Sequence, residues 1–274
     1  MMYTKNFNDE PFRHYRIITA ILLTEICLYF ISGIHLVSLQ GNTFISFEQD
    51  PLLWFVYFTG VPQFILRNSL LCYVINSSIL LLLIILILNP LNRWVALVLA
   101  ILLLIFYSIF TAHLGHRNYQ SGYLFVLLPF LFAKRKNRQI VFEMTRYFLL
   151  FFYVSAAFFK IQSGSLFSGD HFSHAVINQF TPYFLEQSFS VRTYFNLYLL
   201  THPYFSQSIY VIAALCELLL IIGFFTKKFD RQLALLILIF HFVNWFIMDI
   251  APIGQIAFIC TLFYSNKFCW KTLN

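Results

Sequence analysis

Long apolar runs, separated by short polar stretches, dominate this chain. They are too long and too uniformly apolar for the alternating pattern of half-buried β-strands. Eight segments can be traced, at about 17–37, 69–88, 95–112, 119–133, 141–162, 206–225, 233–250 and 254–264. The pattern predicts an all-α, polytopic integral membrane helical bundle with about eight transmembrane segments. The fourth and eighth segments are shorter than the ~20 residues that a full crossing needs.

Composition supports this class of protein. The 274 residues are 60% hydrophobic and 11% charged, whereas a soluble domain carries about 25% charged residues. The net charge of +7 lies in clusters between the apolar runs, which is typical of orientation signals and not of nucleic-acid binding. The five cysteines form no CxxC pair, so a disulfide framework is not predicted. No internal repeat or linker is evident in the sequence, so residues 1–274 are predicted to form a single domain.

The basic residues also predict an orientation. If the N-terminus is cytoplasmic and the eight segments alternate, 14 of the 18 lysines and arginines fall on the cytoplasmic side. Only Arg67, Arg117, Lys160 and Arg192 then fall outside. This bias predicts that both termini are cytoplasmic and that residues 1–16 form a cytoplasmic tail. Residues 163–205 then form an outer loop, in which we expect interfacial helices.

Several polar residues lie inside the apolar segments, where they are costly and often functional. They are Glu25, Asn76, Glu217, His241 and Asn244. Counting along the helices places Glu217 and His241 at the same depth, ~12 Å from the cytoplasmic boundary, so we expect them to pair. The pair serves either as a hydrogen bond that pins two helices or as a proton path or polar end for a bound headgroup.

Lys160 ends the fifth segment and is the only lysine on the predicted outer side. One interpretation is a helix-end lysine that reaches for lipid headgroups. The other is a partly desolvated amine that acts as a base. Two HxxH pairs, His113/His116 and His171/His174, are also predicted outside. Their spacing places two imidazoles on one helix face, but they lack further ligands, so we predict no metal site and keep these histidines as weak candidates.

The residues around Lys160 resemble a known family. The matching stretches are AAFFKI (Ala156–Ile161), Gly169-Asp170, LCELLLIIGFF (Leu215–Phe225), FHFVNW (Phe240–Trp245) and Ile253-Gly254. Together they look like the membrane domain of vitamin K-dependent γ-glutamyl carboxylases, which belongs to the horizontally transferred transmembrane domain family. The resemblance runs from about residue 117 to residue 266, and it implies a protein that is integral to a bacterial cell (inner) membrane.

The resemblance implies that Lys160 is a base that deprotonates a reduced, vitamin K-like quinone. The two positions that assist the lysine in the family hold Gln120 and Ser121 here, so these are further catalytic candidates. Glu217, His241, Asn244 and Tyr123 become candidates for cofactor binding.

The function expected from the resemblance is binding of a quinone-like cofactor or a hydrophobic peptide in an outward-facing cavity, with possible modification of a peptide by the lysine. Besides the lipid bilayer, a secreted peptide or membrane partner protein is expected. Two alternatives stay open. One is a non-enzymatic maturation or immunity accessory protein for a bacterial peptide toxin of the sporulation-delaying type. The other is a DoxX-like, quinone-linked redox membrane protein. The sequence leaves open whether the protein is an enzyme.

Overall fold

A computed structural model describes residues 10–40, 58–114, 135–185, 190–248 and 254–265, together with Leu127, Leu131 and Ile250. These residues form helices and the turns between them, and no strand occurs among them. The all-α prediction is therefore confirmed for this part of the chain.

The helices are numbered in chain order. They are α1 (Glu10–Ile31), α2 (Val61–Leu66), α3 (Ser69–Leu88), α4 (Arg93–Leu114), α5 (Arg135–Gln162), α6 (His171–Leu185), α7 (Val191–Thr201), α8 (Pro203–Leu218), α9 (Ile222–Phe225), α10 (Asp230–Met248), α11 (Gln255–Ile259) and α12 (Thr261–Ser265). A 3-10 turn, Leu219–Ile221, joins α8 to α9, so the chain is helical from Pro203 to Phe225.

Six helical segments of the described chain are long and apolar enough to cross a membrane. They are Arg13–Ile31, Ser69–Leu88, Arg93–Phe110, Ile140–Gln162, Pro203–Phe225 and Asp230–Met248. Their exposed positions include large apolar side chains such as Leu81, Ile101 and Phe151, which suit contact with lipid. The fold is therefore compatible with a multi-pass membrane protein.

The first helix differs from its prediction at both ends. It begins at Glu10, inside the expected tail, and ends at Ile31, six residues before the predicted end at 37. Gly33 adopts a left-handed φ of 83°, which α-helix excludes. His35 then starts a 3-10 turn, Leu36–Leu39, in which its Nδ1 accepts a hydrogen bond from the Ser38 N–H at 3.2 Å.

The two short predicted segments remain open. The eighth consists of α11 and α12, which have five residues each, so neither is long enough to cross a membrane alone. The fourth lies outside the described residues except for Leu127 and Leu131. The count of eight crossings therefore stays a prediction.

The chain forms two compact units, residues 1–145 with 252–274, and residues 146–251. In the first unit, α3 packs against α1 and α4, and α11 packs against α1. Asn68 caps α3, because its Oδ1 accepts a hydrogen bond from the Leu71 N–H at 3.2 Å. The core of this unit includes Ile18, Leu22 and Ile79, whose side chains are fully buried. The single-domain organisation stays a prediction.

In the second unit, α6, α7, α8 and α10 pack on one another. Their shared core contains Phe172, Val176, Phe180, Leu199 and Ile247. The expected helices of the 163–205 segment are thus present as α6 and α7, held against α8 and α10. Their interfacial position in a membrane stays a prediction.

Candidate functional site

Helix α5 carries three long polar side chains at seven-residue intervals: Arg146, Tyr153 and Lys160. Seven residues are close to two helical turns, so the three side chains share one face, about 10 Å apart along the axis. Each makes a polar contact with the segment 203–248. We call these three contacts, Arg146–Asp230, Tyr153–His241 and Lys160–Glu217, the polar ladder.

The first contact of the polar ladder is a fully buried ion pair. Arg146 donates from Nε to Oδ2 of Asp230 at 2.7 Å and from Nη2 to Oδ1 at 2.8 Å, and both side chains are 0% exposed. Nη2 also donates to the Gly223 carbonyl oxygen at 2.6 Å. Gly223 also lets α9 pack closely on Leu150 of α5, since a Cβ there would lie 2.6 Å from Cδ2 of Leu150. The bidentate geometry fixes α5 against the first turn of α10.

The second contact joins Tyr153 to His241. The Tyr153 hydroxyl lies 2.5 Å from Nε2 of His241, and which group donates depends on the histidine tautomer. Tyr153 is buried, and the two rings meet edge to face with centroids 5.7 Å apart. Nδ1 of His241 is buried and has no hydrogen-bond partner among the described residues. Whichever group donates, this hydrogen bond joins α5 to α10.

The third contact joins Lys160 to Glu217. Lys160 Nζ donates to Oε2 of Glu217 at 2.5 Å, and the two side chains are 20% and 6% exposed. The ammonium lies 5.6 Å from the centre of the Tyr210 ring and 6.0 Å from that of Phe240, within cation–π range. Its remaining N–H groups have no acceptor among the residues that the structure describes. A charged amine with spare donors is thus partly exposed beside two aromatic rings.

This contact corrects one expectation. Glu217 was expected to pair with His241, but its partner is Lys160, and His241 bonds to Tyr153 instead. Lys160 and Glu217 were also expected at different depths in the membrane. Counting residues along α5 places the Cα of Lys160 near the outer end of that helix, whereas Glu217 lies deeper. Helical side chains point toward the helix N-terminus, so the long lysine chain brings its amine back along α5 to the level of Glu217.

A hydrogen-bonded turn supports the end of α5 that carries Lys160. Ser165 Oγ lies 3.0 Å from the Lys160 carbonyl oxygen, to which it donates, and 3.1 Å from the Tyr210 hydroxyl. Nε2 of Gln207 donates to the carbonyl oxygens of Ser165 and Leu166 at 3.0 and 2.9 Å. Tyr210 in turn stacks on Phe172 of α6, with ring centroids 5.5 Å apart. These contacts fix the Tyr210 ring beside the Lys160 amine.

The other predicted site residues are placed less centrally. Asn244 is half-buried one turn beyond His241, and its side chain makes no hydrogen bond with the described residues. Gln120, Ser121 and Tyr123 lie outside the described residues, so their predicted roles stay predictions.

The HxxH histidines give no metal centre within the described chain. His174 is exposed, with Nε2 3.3 Å from Oδ2 of Asp170, and the His171 ring packs 5.4 Å from Tyr210. Three metal-binding side chains converge nowhere in the described ranges. The side chain of His113 and the whole of His116 lie outside them. The hydrogen bonds from Ser168 and His174 lower the pKa of Asp170 below its usual range.

Arg146, Tyr153 and Asp230 belong to the site but were not predicted from the sequence. Arg146 was counted only as a cytoplasmic charge, and Asp230 was not singled out. A signal for the first two exists, because Arg146, Tyr153 and Lys160 repeat every seven residues on one helix. Their partners lie between 57 and 88 residues further along the chain and have no comparable local signal.

Fold and site together define a class: an all-helical protein, compatible with several membrane crossings, whose apolar helices are joined by a ladder of ionisable side chains. No protein-family model, curated protein or solved structure matches the chain.

Proposed function

We propose that the chain is a multi-pass membrane protein that binds a lipophilic, quinone-like molecule at Lys160, as its resemblance to the carboxylase-like transmembrane family implies. The observation that carries the proposal is the partly exposed Lys160 amine, held by the buried Glu217 carboxylate. A quinone carbonyl oxygen accepts a hydrogen bond from a spare N–H of this amine. The Tyr210 and Phe240 rings offer apolar surface to a planar ligand.

Glu217 gives the site a route to acid–base chemistry. A protonated amine cannot act as a base, so Lys160 must first release a proton. The Glu217 oxygen at 2.5 Å is the acceptor for that proton, and the pair then becomes a neutral amine beside a neutral carboxyl. The neutral amine then takes a proton from a bound quinol hydroxyl.

A binding role without catalysis is the second candidate, and the ion pair itself favours it. In the structure the Lys160 amine is paired with a carboxylate, as expected of a charged group that recognises a ligand. Such a group also suits the C-terminal carboxylate of a hydrophobic peptide, as in a maturation or immunity accessory protein. Lys160→Arg separates the two functions, because arginine keeps the charge but is never a base near neutral pH.

The binding test uses purified protein in lipid nanodiscs, with menadione, a naphthoquinone without an isoprenoid chain, as the probe. Quenching of tryptophan fluorescence reports its Kd, since the chain has four tryptophans. Lys160→Met removes a hydrogen bond from a charged donor and should weaken binding by about 10- to 150-fold. Lys228→Met is the matched control, because Lys228 also lies over an aromatic ring, 5.6 Å from Phe229, but is exposed.

The outcome distinguishes the candidates. Weaker binding in Lys160→Met but not in Lys228→Met supports a quinone site. If both variants bind menadione with the same Kd, and Lys228→Met melts at the wild-type temperature, the quinone site is rejected. A hydrophobic peptide that binds wild type and Lys160→Arg alike, but not Lys160→Met, would favour the accessory role.

We further propose eight crossings with both termini in the cytoplasm of a bacterial cell. The charge bias along the sequence supports this orientation. Six of the crossings correspond to the candidate spans. The fourth is assigned to residues 119–133 and the eighth to the pair α11–α12. Reporter domains fused after residue 166 and after residue 274 test the arrangement: the first should be active only outside the cell, the second only inside.

A further inference from the structure

Glu25 is a buried carboxyl that the site above does not use. It belongs to α1 in the first unit and is 5% exposed. Neither of its oxygens makes a hydrogen bond of standard geometry with a residue that the structure describes. The carboxyl lies beside the backbone N–H groups of Gly254, Ile256 and Ala257, where α11 packs against α1. This environment contrasts with that of Glu217, whose carboxylate holds a lysine.

The described side chains close to Glu25 provide no positive charge. The titratable groups among them that interact with its charge are the Tyr29 hydroxyl, one turn further along α1, and the Cys260 thiol after α11. Neither group is a cation. Asn76 of α3, the helix that packs against α1, is also buried, and its Oδ1 has no hydrogen-bond partner in the described part of the chain. An ionised Glu25 would therefore lack a counter-ion among its described neighbours.

The physical chemistry of burial favours the neutral form. An isolated carboxylate in an apolar interior loses its hydration without compensation and takes up a proton instead. The partial positive charge at the start of a short helix offsets only part of that loss. This opposing effect is further limited here, because none of the three amides makes a well-formed hydrogen bond to the carboxyl.

We propose that Glu25 is a proton-binding site in the apolar interior: it carries a proton at neutral pH, and apolar carboxyl reagents that enter from the lipid phase modify it. The inference does not depend on the function of Lys160. In the modification, the carboxyl O–H proton moves to a carbodiimide nitrogen and the carboxylate oxygen adds to the central carbon. Migration of the acyl group to nitrogen then leaves a stable N-acylurea, with no leaving group and no redox partner.

The protonation state is tested by infrared spectroscopy of the protein in nanodiscs at pH 7. A protonated carboxyl has a carbonyl stretching band that a carboxylate lacks. This band should be present in wild type and reduced by one carboxyl equivalent in Glu25→Gln. Circular dichroism confirms that the variant is folded. If folded Glu25→Gln retains the complete band, Glu25 is ionised in the wild type and the proposal is overturned.

Modification is tested with dicyclohexylcarbodiimide at pH 7, followed by peptide mass mapping. Glu25 should be labelled in the wild type, whereas Glu217 should not be, because its carboxylate is paired with Lys160. In Lys160→Met, Glu217 loses this cation and should become labelled, which provides a positive control inside the bilayer. Labelling of Glu217 in Lys160→Met without labelling of Glu25 would overturn the proposed access. Equal labelling of both carboxyls in the wild type would overturn the distinction between them.

Discussion

Replacement of Arg146 by methionine should be among the most destabilising single changes in the described chain. The substitution leaves the Asp230 carboxylate, 0% exposed, without its two hydrogen bonds at 2.7 and 2.8 Å. It also removes the donor to the Gly223 carbonyl oxygen. Breaking a buried ion pair by removing one partner costs about 3–5 kcal/mol. A typical protein is stable by about 5–15 kcal/mol, so this loss is a large fraction of the total.

The double variant Arg146→Met/Asp230→Leu should recover most of that loss. Both charges are then replaced by apolar groups of similar size, so no unpaired carboxylate remains buried. Such replacements are often neutral for stability, and we expect the double variant to lie within about 2 kcal/mol of wild type. The double-mutant cycle should therefore be strongly non-additive.

Unfolding in mixed micelles, with a rising fraction of denaturing detergent, measures these free energies. Lys228→Met is the control, because Lys228 is exposed and its loss should change stability by no more than about 0.5 kcal/mol. Two results would refute the reasoning. One is an Arg146→Met variant as stable as the control. The other is a double variant whose loss equals the sum of the two single losses.

Three further predictions concern other positions. Gly223→Ala should cost about 1–3 kcal/mol, because its Cβ would lie 2.6 Å from Leu150 Cδ2; Leu150→Val in the same chain should reduce that cost, and thermal melting measures both. Asn196→Leu should stabilise the protein by about 1–2 kcal/mol, because neither amide atom of this fully buried side chain has a hydrogen-bond partner in the described chain; a lower melting temperature would contradict this. The pKa of Asp170 is below its usual range because of the Ser168 hydroxyl and then His174. This carboxylate therefore contributes stability above its unfolded pKa and loses it as the pH falls through the lowered value. Ser168→Ala should raise that pKa in a carboxyl carbon NMR titration, and an unchanged value would be inconsistent with the hydrogen bond.

The apolar pattern alone was sufficient to predict the six long helices that suit a membrane crossing. Whether a stretch of about 20 residues suits a membrane depends on its own side chains, so segments such as 69–88 match the helices found. Boundaries set by single residues were harder to predict: α1 ends early because Gly33 adopts a left-handed conformation. The apolar pattern also did not predict the close packing at Gly223, where the absence of a Cβ lets Leu150 approach the backbone.

The sequence by itself also determined which ionisable residues lie in apolar segments, because their positions follow from the hydrophobic runs. It therefore singled out Lys160, Glu217, His241 and Glu25. Only the tertiary structure decided their partners. Pairing depends on helix rotation, on tilt and on side-chain reach, and a lysine amine can lie more than a helical turn from its own Cα. Counting along two helices thus placed Glu217 with His241, whereas packing brings it to Lys160 and leaves Glu25 without a cation among its described neighbours.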